Sequence, residues 1–177
     1  DVMKCATEAI KKSAGIGIPT VKPWNLETVK EKMRLVEDSG AFAVAMDVDA
    51  AGLPFLKNMT PPAGRKSVEE LHKIAASTRA PFIVKGIMTV RGALKAEAAG
   101  ADAIVVSNHG GRVLDQCPAT AEVLEEIEQQ TDFQFFYNNK IIDVNRKVSI
   151  NVQNEDVFAI LNRLFKESNV RYQVIGK

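Results

Sequence analysis

Continuous apolar runs alternate with amphipathic stretches in the first two thirds of the chain. The runs predict four strands, over residues 18–22, 42–48, 81–87 and 103–107. Uninterrupted apolar strands are typical of a parallel sheet that is covered on both faces. Because the strands alternate with helices, the pattern indicates βαβ units with right-handed crossovers. We therefore predict an α/β fold, either a doubly wound sheet or part of a barrel.

Capping residues mark the ends of the predicted helices. Ser67 and Glu70 form a capping box ahead of one apolar stripe. Gly40 is placed to end the first helix, and Thr89 is placed to start the third. These local signals agree with the helices that the apolar spacing predicts.

The hydrophobic pattern changes after Pro118, which suits the first turn of a helix. Apolar residues then alternate with polar ones in three short stretches, and a helical stripe separates the second from the third. The alternating stretches are residues 133–137, 148–152 and 170–174. Such alternation is typical of a half-exposed antiparallel sheet. The tail is therefore predicted to be a small α+β unit of order αββαβ, and we divide the chain into domains 1–122 and 123–177.

Composition narrows the function classes. The chain has 23 basic and 22 acidic residues, and a net charge of +1 provides no strong field for nucleic-acid phosphates. No apolar run approaches the roughly 20 residues of a spanning helix, so we expect no membrane insertion. Cys5 and Cys117 lie far apart without a CxxC partner. We expect them to be free thiols, with neither a metal site nor a disulfide framework.

Polar residues lie at the carboxyl ends of all four predicted strands of the first part. They are Lys22, Asp47, Asp49, Lys85, Ser107, Asn108 and His109. The carboxyl ends of parallel strands meet at one edge, and that edge carries the active sites of parallel barrels. Strands can also end in polar residues merely because they meet water there. Four strands that deliver such groups to the same edge favour a functional site.

The segment SNHGGRVLD, residues 107–115, adds specific chemistry to this edge. Its paired glycines let the backbone approach a flat ligand, and Arg112 can hold a carboxylate through two parallel hydrogen bonds. With PFIVKGIMT, AGADAIVVSNHGGRVLD and PATAEVL, the chain resembles the FMN-dependent 2-hydroxy-acid dehydrogenases and oxidases, which include glycolate oxidase and lactate oxidase. The resemblance implies a fragment of a parallel (β/α) TIM-type barrel.

The same resemblance implies a flavoprotein oxidoreductase that acts on a small 2-hydroxy acid. His109 would take a proton from the substrate while electrons pass to FMN. Asp49 would pair with the histidine and favour its protonated form, and Arg112 would hold the substrate carboxylate.

Three further residues are implied to serve the cofactor. Lys85 would lie against the pyrimidine edge of the flavin, where its charge stabilises the anionic reduced ring. Ser107 would hydrogen-bond the ring. Asp47 stands where the family has a threonine near the flavin, which makes it a cofactor-binding candidate that departs from the pattern.

Other departures concern the substrate and the length of the chain. Val21 stands near the position of a family tyrosine, and the stretch AAGLPFLK lacks a second substrate arginine, so the substrate stays open. Barrels of this kind need about 250 residues, yet the resemblance ends near Ile127. About half a barrel is expected, whose open sheet edges would pair with a second copy, with the tail, or with nothing.

The tail resembles a different family. The stretch EEIEQQTDFQFFYNNKIIDVNRKVSINVQN is similar to the STN domain of secretins and TonB-dependent transducers. That resemblance implies a protein partner and a periplasmic location, whereas the barrel part would be cytoplasmic. Three hypotheses stay open: a flavin oxidoreductase impaired by its incomplete barrel, a periplasmic protein-binding and signalling module, and an engineered chimera without activity.

Overall fold

The computed structural model describes residues 2–114 and 116–132. Strands and helices alternate along this part of the chain, as predicted. The helices are α1 (Val2–Lys12), α2 (Leu26–Ser39), α3 (Pro54–Lys57), α4 (Val68–Ala75), α5 (Val90–Ala98) and α6 (Thr120–Gln130). The strands are β1 (Thr20–Val21), β2 (Val44–Asp47), β3 (Phe82–Ile87) and β4 (Ala103–Val106). Two 3₁₀ turns, Val48–Gly52 and His109–Gly111, follow β2 and β4.

The four strands form one parallel sheet in the order β1-β2-β3-β4. The register pairs Val21 with Met46, Met46 with Val84, and Val84 with Ile104. Each strand therefore lies beside the one before it in the chain, which is the arrangement of successive βα units in a parallel barrel. The prediction of an α/β fold that is a partial TIM-type barrel is confirmed for the described residues.

The predicted helix ends are mostly confirmed. The Ser67 side chain accepts from Glu70 N at 3.1 Å, and Glu70 accepts from Ser67 N at 2.8 Å, which completes the capping box. Gly40 ends α2 in the left-handed region at φ 68°. Pro118 lies before α6 and not in its first turn, because Ala119 has an extended backbone and is the N-cap. The helix therefore starts one residue after that cap, at Thr120.

The core lies between the sheet and its helices. All four residues of β2 are buried, and the apolar stripe of α2 packs Val29, Met33 and Val36 out of solvent. Each such side chain contributes about 1.5–3 kcal/mol on burial. β4 differs from the prediction that every strand is covered on both faces, since Val105 is 41% exposed. β4 is the last strand of this sheet, so nothing in the described residues pairs with its outer edge.

Two segments were not predicted as regular structure. One is α1, which packs on α2. The other is the chain after β2, where Ala50, Leu53, Leu56 and Ala63 form a small apolar cluster against Val113. This cluster joins the loop after β2 to the loop after β4, at the edge where the polar residues were predicted to meet.

The chain divides into two compact units, residues 1–134 and 135–177. The predicted strands and helix of the tail lie outside the described residues. The predicted domain boundary at 122/123 stays a prediction. Within residues 2–114 and 116–132, no helix combines the length and the apolar character that crossing a membrane requires.

Candidate active site

The polar residues at the carboxyl ends of the strands line one cavity of about 370 Å³. Strands β1, β2 and β3 and the loop after β4 contribute residues to it. The lining residues are Thr20, Lys22, Asp47, Lys85, Ser107, His109, Gly110 and Arg112. A volume of this size lies within the range that small-molecule sites occupy. Six residues were given a role from the sequence, and the structure brings five of them together in this cavity; the sixth, Asp49, lies directly behind His109.

Asp47 is the buried centre of the site. It is the last residue of β2, and its side chain is only 3% exposed. Lys22 Nζ lies 2.6 Å from Oδ2, and Lys85 Nζ lies 2.8 Å from Oδ1. Burial alone would raise the pKa of Asp47, but hydrogen bonding with Asp49, Lys22 and Lys85 lowers that pKa well below its usual range. Asp47 is therefore an anion shared by two ammonium groups.

Asp49 pairs with the histidine. It comes from the 3₁₀ turn after β2, and both of its carboxylate oxygens lie 3.2 Å from His109 Nδ1. Burial and the neighbouring Asp47 carboxylate raise the pKa of Asp49, whereas hydrogen bonding to His109 opposes the rise. The pKa values of the two aspartates are thus shifted in opposite directions, as expected for two carboxyl groups that share one site.

Gly86 in β3 makes room for Asp49. Its φ of +99° lies in a region that L side chains rarely adopt, and a Cβ atom there would lie 2.6 Å from Asp49 Cγ. The β3–β4 register shifts between Lys85 and Ile87, so this glycine is also the site of a strand irregularity. A glycine is required here because the carboxylate passes directly over the strand.

The loop after β4 orients His109 through its backbone. His109 has a φ of 59°, in the left-handed region, which is uncommon for a residue with a side chain. Ser107 Oγ accepts from His109 N at 3.2 Å, and Asn108 Oδ1 accepts from Gly110 N at 3.0 Å. Arg112 Nε donates to His109 O at 3.0 Å. Side chains on both sides of His109 therefore hold the turn that directs its imidazole toward Asp49.

The charges of the site favour an anionic ligand. Three cationic side chains line the cavity, from Lys22, Lys85 and Arg112, and only Asp47 among the lining residues carries negative charge. Asp49 lies behind the imidazole and is not among the residues that line the cavity. Positive charge exceeds negative charge at the cavity wall, which is the requirement for binding a carboxylate or another anion.

A metal site is the alternative use of the acidic groups. Asp47, Asp49 and His109 offer three ligand atoms that lie within 4.8 Å of one another. However, both oxygens of Asp47 already bind ammonium groups. A divalent cation would have to displace or repel two lysines, so the cavity as a whole is better suited to an anion.

The residues that line the cavity also fit the ring of a flavin. Lys85 provides a fixed positive charge, and Ser107 provides a hydroxyl on the cavity wall. Gly110 lines the cavity and presents backbone without a side chain, and a Cβ atom there would lie 3.6 Å from Arg112 Nη2. Backbone that a flat ring can approach, next to a cation, is the chemistry that a flavin site needs.

Two family models match this chain. Residues 57–137 match the model described as FMN-dependent dehydrogenase. The second model, described as the secretin and TonB N terminus short domain, matches residues 133–177. Both resemblances that the sequence indicated are therefore confirmed within the matched ranges. The predicted cofactor, FMN, agrees with the first family description.

Curated relatives of the first part are oxidases. A peroxisomal (S)-2-hydroxyacid oxidase of Arabidopsis thaliana is 56% identical over 64 residues, which cover 36% of this chain and 17% of the relative. An L-lactate oxidase of Lactobacillus jensenii is 50% identical over 58 residues, which cover 33% of this chain and 14% of the relative. The chain thus spans less than a fifth of the length of these proteins.

Solved structures of mandelate oxidase share the fold of the first part. A mandelate oxidase mutant with (S)-mandelic acid matches with a TM-score of 0.58 and 30% identity, over 68% of this chain and 41% of that chain. A mandelate oxidase mutant with an FMN adduct matches with a TM-score of 0.55 and 26% identity, over 73% of this chain and 49% of that chain. This chain therefore corresponds to less than half of an FMN-dependent oxidase of known structure.

Sequence reasoning assigned no role to Lys22. It was identified as a polar residue at a strand end, while the neighbouring Val21 was compared with the family tyrosine. The structure buries Val21 completely and places Lys22 on the cavity wall. The alternation of side chains along an extended strand was the signal that could have separated these neighbours.

Proposed function

We propose that this chain binds FMN and oxidises a small 2-hydroxy acid to the corresponding 2-oxo acid, with His109 as the catalytic base. One observation carries the proposal: the imidazole lies on a cation-lined cavity, and Asp49 holds its Nδ1 from behind at 3.2 Å. The matched family and the oxidases among the relatives support the same reaction class.

His109 would act through the ring nitrogen that faces away from Asp49. Because Nδ1 is directed at the carboxylate, Nε2 is left to take the proton from C2 of the substrate. The Asp49 carboxylate would then stabilise the imidazolium that forms. FMN, when bound, would supply the oxidising power: it would take up the two electrons and the proton of the substrate hydroxyl as the carbonyl of the 2-oxo acid appears.

Arg112 and Lys85 would divide the remaining charge. Arg112 is exposed at the cavity mouth and would pair with the substrate carboxylate. Lys85 lies deeper, within hydrogen-bonding distance of Asp47 and 3.5 Å from His109 Nδ1, where it would face the flavin ring. A single arginine suits a substrate with one carboxylate.

The activity is proposed to be lower than that of a complete barrel, because the loops that hold the cofactor phosphate in such barrels follow later strands.

The proposed function is tested by the visible spectrum of the purified chain. We expect the chain to retain FMN through gel filtration, and we expect glycolate, L-lactate or (S)-mandelate added without oxygen to bleach the oxidised flavin band. A His72→Asn variant is the control, because His72 is exposed on α4 and away from the cavity lining. Loss of FMN on gel filtration, or a flavin band that no 2-hydroxy acid bleaches, would overturn the proposal.

A further inference from the structure

Lys22 is the one cation of the cavity that the proposed reaction does not use. Its Nζ lies 2.6 Å from Asp47 Oδ2, and its side chain is 31% exposed, so it belongs both to the buried carboxylate and to the cavity wall. Lys22 immediately follows β1, and the pairing of Val21 with Met46 places it opposite Asp47. Its position is therefore fixed by the sheet.

Asp47 binds one lysine through each oxygen. Lys85 Nζ lies 2.8 Å from Oδ1, on the side opposite to the 2.6 Å contact with Lys22. Within the Lys22–Asp47–Lys85 group, one carboxylate faces two ammonium groups and neutralises only one of them. Asp49 Oδ1 lies farther from Lys85 Nζ, at 3.8 Å, and pairs with His109 Nδ1 at 3.2 Å, so it competes less for the charge of Lys85. Without Lys22, the same carboxylate would pair with Lys85 alone and would cancel its charge.

We propose that Lys22 is a positioning residue that occupies half of Asp47 and thereby keeps the positive charge of Lys85 available for an anionic ligand. The ligand is an anion at the level of Lys85, whose source is either the reduced flavin or a small carboxylate in the cavity. Only the flavin arm of this inference rests on the proposed function. The charge balance itself rests on the three side chains and their distances.

A merely structural role for Lys22 makes a different prediction. An ion pair with a purely structural role would affect stability without changing anion binding. Asp47 is 3% exposed and keeps Lys85 as a partner when Lys22 is replaced, so the fold is expected to survive the substitution. Anion affinity and flavin potential therefore separate the two roles.

The first experiment needs no flavin. We expect oxalate to bind the FMN-free full chain at low ionic strength in isothermal titration calorimetry, and we expect Lys22→Met to weaken that binding on the order of tenfold or more. Lys22→Arg should restore it, because the charge returns. Lys30→Met, at an exposed position of α2, should bind oxalate as the unaltered chain does. If Lys22→Met does not fold, Lys22→Gln, which keeps a donor for Asp47, takes its place.

The second experiment uses the flavin-loaded chain. Lys22→Met should lower the two-electron reduction potential by about 30 mV for each tenfold loss in preference for the reduced ring. A shift in oxalate binding without a shift in potential would assign the anion to the substrate side, and shifts in both would include the flavin.

The outcomes distinguish the two proposals. If Lys22→Met and Lys30→Met bind oxalate equally and also give the same flavin potential, the inference about Lys22 is wrong even though FMN is retained. If FMN is not retained, equal oxalate binding by the two variants, or no oxalate binding by the unaltered chain, is enough to overturn it. If FMN is lost while oxalate binding depends on Lys22, the proposed function fails and the inference stands.

Discussion

The imidazole of His109 is held from its backbone as well as from its side chain. Its φ of 59° lies in the left-handed backbone region, which residues with a side chain rarely adopt. Asparagine is one of the few residues that tolerate this region. The choice of replacement therefore matters, because a residue that resists the left-handed region would change the loop as well as the chemistry. His109→Asn removes the proposed base and is expected to leave the turn in place.

We expect His109→Asn to lower the rate of flavin reduction by 2-hydroxy acid by a factor of about 100 or more, the usual effect of losing a general base. FMN affinity should change little, since Lys85 and Ser107 remain. Anaerobic stopped-flow measurement of flavin bleaching gives the rate, and His72→Asn is the matched control. A reduction rate equal to that of the unaltered chain would remove His109 from the reaction.

At the scale of elements, β3 and the turn after β2 meet at Gly86. The glycine has a positive φ, and the Asp49 side chain occupies the space that a methyl group would need. The conformation of β3 at this residue therefore determines whether Asp49 can take its position. Gly64 lies in a loop with open space around it and without a positive φ, which makes it a suitable comparison.

We expect Gly86→Ala to lower the free energy of unfolding by about 1–3 kcal/mol, because the new Cβ would collide with the Asp49 side chain and the backbone would be strained. The displaced carboxylate should also slow flavin reduction. Gly64→Ala should be neutral or stabilising by less than about 1 kcal/mol. Urea unfolding of the two variants makes the comparison, and equal midpoints would show that Asp49 does not lie over Gly86.

The elements also show how far the sequence could predict this molecule. The strands and most helix ends were predictable because apolar runs and capping residues are local signals, as at Ser67 and Gly40. The exposure of Val105 was not, since a continuous apolar run does not reveal whether another strand lies beside it. The edge that carries the site followed from the rule for parallel strands. The contacts of Asp47 with two lysines could not be predicted in the same way, because they depend on the register between strands that are distant in the sequence.

At the scale of the whole molecule, the two aspartates give opposite contributions to the pH dependence of stability. The folded-state pKa of Asp47 is lowered, so its contribution is present above the unfolded value of about 3.9 and is lost as the pH falls through the folded value. The folded-state pKa of Asp49 is raised, so its contribution is present below about pH 3.9 and is lost as the pH rises through the folded value.

We therefore expect Asp49→Asn to be more stable than the unaltered chain at neutral pH, because the amide removes a carboxylate that burial and Asp47 disfavour. The difference should shrink toward zero as the pH falls below about 4, where the carboxyl group is protonated in both the folded and the unfolded states. Thermal midpoints measured across this range test the prediction. A variant that is less stable at neutral pH would mean that the bond to His109 outweighs the cost of burial.

The order of the strands has a final consequence for the extent of the chain. Because β1 to β4 lie side by side in the order in which they occur, deleting a strand from either end would leave the remaining sheet connected. The cluster at the edge would not survive the same deletion, since Lys22 follows the first strand and His109 follows the last. All four strands from β1 to β4 are thus needed to bring the charged groups of the cavity together. A shorter segment could keep a connected sheet and still lack part of the candidate site.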